Sequence, residues 1–176
     1  ALLELARLVT DETARVTLYL DKHQMVALCG ETKLTSRLIE GTFPPYESII
    51  PASLGTTITM NRQEFLSSLK MASLFSRDSA YNVTFTVGDK ELTLKALSAQ
   101  IGASTSTVTA SVTGDQLTIA FNARFIQDAL QVITSEAVQF LLEPPKDNHW
   151  FPGVLKSTED QQYQYVIMPL RTESLA

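Results

Sequence analysis

Imidazole and thiol groups are the side chains best suited to chemistry near neutral pH, and this chain has only His23, His149 and Cys29. Two isolated histidines and one cysteine give no metal-ligand spacing. His23 sits at a turn beside Asp21, and His149 sits with Trp150 in the loop Pro144 to Pro152. No Ser/His/Asp order is persuasive, because the polar candidates are scattered through strand-like runs. The glycine-rich loops that cradle phosphates, G-x-x-x-x-G-K and G-x-G-x-x-G, do not occur. Cys29 ends the apolar run Met25-Val26-Ala27-Leu28 and reads as a buried structural thiol. The expectation is a protein without cofactor or metal that is not an enzyme and works by recognition.

Two patterns can carry recognition. The first is the connector Leu38 to Pro51. Pro44 and Pro45 can neither donate to a sheet ladder nor continue a helix, and Phe43 is pushed to an extended backbone by the proline after it. A slack linker would be rich in glycine and serine. Here Phe43, Tyr46, Ile49 and Ile50 need cover, so the stretch reads as an ordered crossing between two packed domains. The second pattern is Arg7, Lys70 and Arg124, cations outside the apolar stripes of their helices. Each also reads as part of an ordinary solvated helix face.

The elements that position these residues repeat. Thr57-Ile58-Thr59-Met60-Asn61 is echoed by Thr118-Ile119-Ala120-Phe121-Asn122, and at the same offset Phe65, Leu69 and Ala72 match Ile126, Leu130 and Ile133. Each copy reads strand, helix, three strands. Asn61 and Asn122 are good helix N-caps, and Glu64 is placed to close a capping box. The helix stripes are Phe65, Leu66, Leu69, Ala72 with Met71 or Leu74, and Phe125, Ile126, Ala129, Leu130, Ile133. The Ser/Thr-rich run Ser104 to Val112 reads as a solvent-facing strand rather than low complexity. Helix Leu2 to Val9 and three strands between Val16 and Leu38 make a third, truncated copy. Two βαβββ units side by side give an α+β domain with two helices on one face and antiparallel sheets on the other.

The net charge of −5 argues against nucleic-acid binding through the general surface, although the sum cannot see a local basic face. The 44% hydrophobic and 19% charged content is that of a globular chain able to bury a core. No apolar run is long enough to span a membrane, and a signal peptide is missing, which fits a cytoplasmic location. The chain starts in helix with no N-cap ahead of it, so it is expected to be a fragment of a longer protein.

Three stretches carry a family resemblance: Leu38-Ile39-Glu40-Gly41-Thr42-Phe43-Pro44-Pro45-Tyr46, Phe121-Asn122-Ala123-Arg124-Phe125, and Tyr165-Val166-Ile167-Met168-Pro169-Leu170-Arg171. Together with the βαβββ repeat they resemble the bacterial sliding clamp family, the beta subunit of DNA polymerase III. The resemblance covers nearly the whole chain. It implies a DNA-clamp fold and a head-to-tail homodimeric ring around double-stranded DNA. Residues 1–50 would be the C-terminal half of the middle domain, 51–171 the complete last domain with units at about 57–116 and 117–171, and 172–176 a tail.

The resemblance also implies roles. A groove for peptides of the polymerase III alpha subunit, the clamp loader and other clamp users maps onto Pro44, Ser48 and Ile49 on one side. Val166, Ile167, Met168, Pro169, Leu170 and Arg171 form the other. Ser48 stands where many members carry a basic residue. Arg7, Lys70 and Arg124 would face DNA phosphates, and Leu74-Phe75 would meet the other subunit. Trp150 and Phe151 either border the groove or anchor their own loop. The function expected is that of a DNA polymerase processivity factor. The alternative is an α+β interaction or ligand-binding domain without a DNA role.

Overall fold

Asn61 and Asn122 each cap a helix, as their place in the repeat requires. In the computed structural model, which describes residues 1–9, 15–43, 45–51, 54–146, 149–160 and 162–171, the Asn61 side chain accepts from the Glu64 N–H at 3.0 Å and Asn122 from the Arg124 N–H at 3.0 Å. Such caps contribute about 1 kcal/mol each. The capping box does not close. Asn61 is still part of a strand, in register with Ala137, and the Glu64 carboxylate instead accepts from the Thr109 N–H.

The chain divides into two compact units, Ala1–Pro45 and Tyr46–Ala176. Residues 46–50, expected with the first segment, go with the second. The first unit has helix α1 (Leu2–Leu8) and the strands β1 (Thr17–Leu20), β2 (Gln24–Cys29) and β3 (Thr32–Arg37), in an antiparallel sheet of order β1-β2-β3. Met25 and Ala27 are its buried apolar side chains, while Leu2, Leu3, Tyr19 and Leu20 are exposed. Cys29, expected to be buried, is half-buried at the end of β2, where the turn at Gly30 lets solvent in.

The second unit contains the duplication. Its order is β4 (Thr56–Asn61), α2 (Arg62–Leu74), β5 (Asn82–Val87), β6 (Glu91–Ser98), β7 (Gly102–Thr113). Then come β8 (Leu117–Asn122), α3 (Ala123–Val132), β9 (Ala137–Leu142), β10 (Gly153–Ser157) and β11 (Gln164–Ile167). The eight strands form one antiparallel array in the order β11-β10-β9-β4-β7-β6-β5-β8. Beyond β11, the Leu170 N–H donates to the Ala120 carbonyl of β8 at 2.8 Å, so the two ends of the array meet.

Each repeat's leading strand is bonded to both repeats. β4 lies between β7 of its own repeat and β9 of the other, and β8 lies between β5 of the other repeat and the Leu170 bridge of its own. The helices sit on one shared core. Arg62 at the start of α2 donates to the carbonyls of Leu130 and Ser135 at the end of α3, while the Gln127 amide reaches the Leu69 carbonyl at 3.1 Å, so the helices run antiparallel. Their buried faces are Phe65, Leu66, Leu69 and Ala72 on α2 and Ala123, Ile126, Ala129 and Leu130 on α3. Three residues of the expected stripes turn outward instead: Met71, Leu74 and Phe125 are each about half exposed. They lie at the margins of faces already filled by the alternating inward side chains of the strands.

β7 alternates as a half-solvated strand should, with Val108 and Ala110 buried and Thr105, Thr107 and Thr109 outward. At its end Gly114 has φ +109, and a Cβ there would press on the Gly55 carbonyl and lie 2.8 Å from the Thr56 Cα. Thr56 is fully buried, and its hydroxyl donates to the Asp115 carbonyl at 2.8 Å. Gly114→Ala is therefore expected to cost about 2 kcal/mol through strain and overpacking, read as a lower urea midpoint at unchanged m-value.

Candidate functional site

β11 is the last strand of the array and, among the described residues, pairs only with β10, through Gly153↔Ile167, Val154↔Val166, Leu155↔Tyr165 and Lys156↔Gln164. Successive side chains point to opposite faces. Ile167 is 5% exposed and joins the core, while Val166 and Met168 face the other way. These two meet Ile49 and Ile50 of the connector around a cavity of 270 Å³. The wall is apolar, flexible at Met168, and bordered by the outer edge of β11, whose backbone groups have no strand partner among the described residues. Such an edge can hold an extended peptide through main-chain bonds, with pockets for its apolar side chains.

The expected groove residues are thus sorted. Ile49, Val166 and Met168 come together. Ile167 is a correction: strand alternation turns it to the core. Pro169 is buried and Leu170 half-buried where the chain crosses to β8, and Arg171 is exposed. Ser48 is exposed in the 3-10 turn Tyr46–Ser48, and Pro44 lies outside the described residues. Ile50 was not anticipated as a wall, although its pairing with Ile49 in an otherwise polar turn was the available signal. Trp150 packs against the core, and Phe151 meets the His149 ring edge-on at 4.7 Å. This loop is anchored at its start: the Glu143 carboxylate accepts from the Gly55 N–H and from Lys146 Nζ at 2.8 Å, and these donors hold its pKa below the usual glutamate range.

The cations divide between the two units. Arg7 belongs to the first and pairs with Glu4 at 3.5 Å in full view of solvent. Lys70 and Arg124 are both exposed in the second. Leu69 and Gln127 face each other across the α2–α3 seam. Lys70 follows Leu69, and Arg124 is one turn before Gln127, so both border the solvent side of the seam within about one turn (~5.4 Å) along the axis. Asp128 is the exposed acidic neighbour one turn after Arg124. The Arg124 guanidinium lies over the Tyr81 ring, 4.9 Å from its centroid.

Leu74 and Phe75, expected as one apolar contact pair, are split. Phe75 packs against the core, and Leu74 is 45% exposed at the end of α2. Beside it, β4 covers only residues Ala110 to Thr113 of β7. The outer edge of β7 from Gly102 to Thr109 therefore has no strand partner among the described residues.

A family model for the DNA polymerase III beta subunit, C-terminal domain, matches residues 47–171. The chain belongs to the beta sliding clamp family. It is 31% identical over 163 residues to the beta sliding clamp of Chlamydia muridarum, covering 93% of this chain and 43% of that one. It is 27% identical over 170 residues to that of Pseudomonas putida, covering 97% of this chain and 45% of the relative. Among solved structures, the sliding clamp of Pseudomonas aeruginosa superposes with a TM-score of 0.85 at 27% identity, over 97% of this chain and 45% of that chain. The Bacillus subtilis clamp gives 0.85 at 25% identity, over 97% and 45%. The chain thus spans less than half the length of these clamps, and its α+β architecture is the clamp fold.

Proposed function

We propose that this chain is the last domain of a DNA polymerase processivity factor, with part of the preceding domain attached, and that the whole protein acts topologically and not as an enzyme. A closed ring cannot leave DNA sideways, and a groove on its rim keeps a polymerase at high effective concentration near the primer end. The reading is carried by the α2–α3 pair: two helices side by side on one face, with Lys70 and Arg124 on their outer seam. Cations presented this way attract phosphates without reading bases, which is what a sliding contact requires.

Residues 1–45 fit half of a middle domain. Their exposed Leu2, Leu3, Tyr19 and Leu20 are the surface that a further layer would cover. Residues 46–171 would be the last domain; the proposed tail, 172–176, lies outside the described residues. The homodimer would form at Leu74 and the uncovered edge of β7, which offers main-chain groups to a second copy's sheet. The cavity at Ile49, Val166 and Met168, with Ser48 and the strand end at Pro169, Leu170 and Arg171 in the same unit, would take apolar peptides of the polymerase III alpha subunit and the clamp loader; Pro44, the remaining residue of the proposed groove, lies outside the described residues. A replication role places the protein in the cytoplasm. Among the described residues no helix is long and apolar enough to cross a membrane.

The test uses the full-length protein loaded on a nicked circular plasmid. It should stay bound until the circle is linearised, and then run off the ends. Lys70→Ser with Arg124→Ser should lower the slope of log affinity against log salt by about two, one per lost phosphate contact. Equal retention on circular and linear DNA would refute the topological reading.

A further inference from the structure

The turn from α2 into β5 has two adjacent residues in the left-handed region, Ala80 at φ +55 and Tyr81 at φ +58. A Cβ disfavours this conformation, and glycine or asparagine is the usual occupant. The turn is held from several sides. The Tyr81 N–H donates to the Ser76 carbonyl at 2.7 Å, and the Tyr81 carbonyl accepts from the Ala123 N–H at 2.9 Å. Asn122 serves both elements: its Oδ1 caps Arg124, and its Nδ2 donates to the Ala80 carbonyl at 2.9 Å.

The second repeat supplies an internal comparison. There the Arg62 N–H donates to the Glu136 carbonyl at 2.9 Å, the counterpart of the Ala123–Tyr81 bond. Ala80 and Tyr81 are nevertheless the non-glycine residues with positive φ among those described. The left-handed turn is therefore not a demand of the βαβββ unit. What it adds in the first repeat is the Tyr81 ring, set against the Arg124 guanidinium in a turn whose carbonyls accept one hydrogen bond from Ala123, at the start of the helix that carries Arg124, and one from that helix's N-cap, Asn122. An aromatic face attracts a guanidinium, restricts its rotamers and leaves its edge N–H groups for other acceptors. Arg124 makes no ion pair among the described residues, with Asp128 or any other acid, and the residue is exposed.

We infer that Tyr81 is a positioning residue for DNA: the left-handed Ala80–Tyr81 turn holds its ring against Arg124 so that the guanidinium meets phosphate already ordered. The inference rests on the DNA-facing reading of Arg124 proposed above. Ordering the cation in advance removes part of the entropy lost on contact. The ring, and not the phenol hydroxyl, does this.

The experiment measures binding of the full-length protein to a fluorescent 30-base-pair duplex by anisotropy at several salt concentrations, with thermal melting as a check on folding. Arg124→Ser should weaken binding about five-fold, Tyr81→Leu about three-fold, and Tyr81→Phe should match the parent. In the Arg124→Ser background, Tyr81→Leu should have no further effect. An Arg124→Ser protein that binds like the parent overturns the DNA-facing reading itself. If Arg124→Ser weakens binding but Tyr81→Leu does not, or if Tyr81→Leu weakens it equally without Arg124, the reading stands and the positioning role is overturned.

Discussion

Phe85→Ala is expected to destabilise the protein by about 4 kcal/mol, within the ~3–5 kcal/mol of phenylalanine truncation in a packed core. Phe85 on β5 is fully buried, and its ring meets three others edge-on: Phe65 at 6.2 Å, Phe121 at 5.4 Å and Phe140 at 6.1 Å. These rings come from α2, β8 and β9, so they draw on both repeats. The gap cannot close by a local shift, because each neighbour is fixed by its own strand or helix. Since whole domains are stable by only about 5–15 kcal/mol, the variant should sit near its folding threshold. Phe125→Ala is the contrast, because Phe125 is 52% exposed and such a site should cost about 0.5 kcal/mol or less. Equal urea midpoints for the two variants would contradict the placement of the core.

Val166→Asp is expected to weaken docking of a short peptide with apolar side chains by about 30-fold or more, the ~2 kcal/mol of a hot spot. Val166 is half-buried beside Ile49, Ile50 and Met168, and a carboxylate there would lose water when the peptide closes over it without gaining a partner. The strand itself should survive, because the change leaves its ladder to Val154 intact. Gln164→Asp, exposed on the same strand, should bind the peptide within about two-fold of the parent. Isothermal titration with the full-length protein distinguishes the cases. Unchanged affinity for Val166→Asp would move the peptide site elsewhere.

Much of this was legible because local signals agreed with one another. Asn61 and Asn122, the spacing of Leu69 and Leu130, and the alternation of β7 each carry their own physical instruction, and the fold obeys all of them. Side chains at the edge of a helix stripe were not legible. Met71, Leu74 and Phe125 have the right period for burial, but whether a marginal position is covered depends on the neighbour's width, which helix periodicity does not encode. Arg62 looks like a surface cation, yet it bonds the carbonyl end of α3; only the antiparallel helix pairing reveals that. The groove shows the same division. The apolar tail and proline connector stood out, while the split between Val166 and Ile167 follows from a strand period that a run of apolar residues conceals. The left-handed turn at Ala80 and Tyr81 gave no sign, because neither residue type is chosen for that conformation.

The sharing of leading strands between the repeats has a consequence for how the domain can fail. A single repeat on its own keeps only one of the two neighbours of its first strand, and half of the aromatic cluster is missing. Melting of either half is expected to expose the core and strand edges of the other. A lesion in one repeat is then expected to be felt across the whole domain.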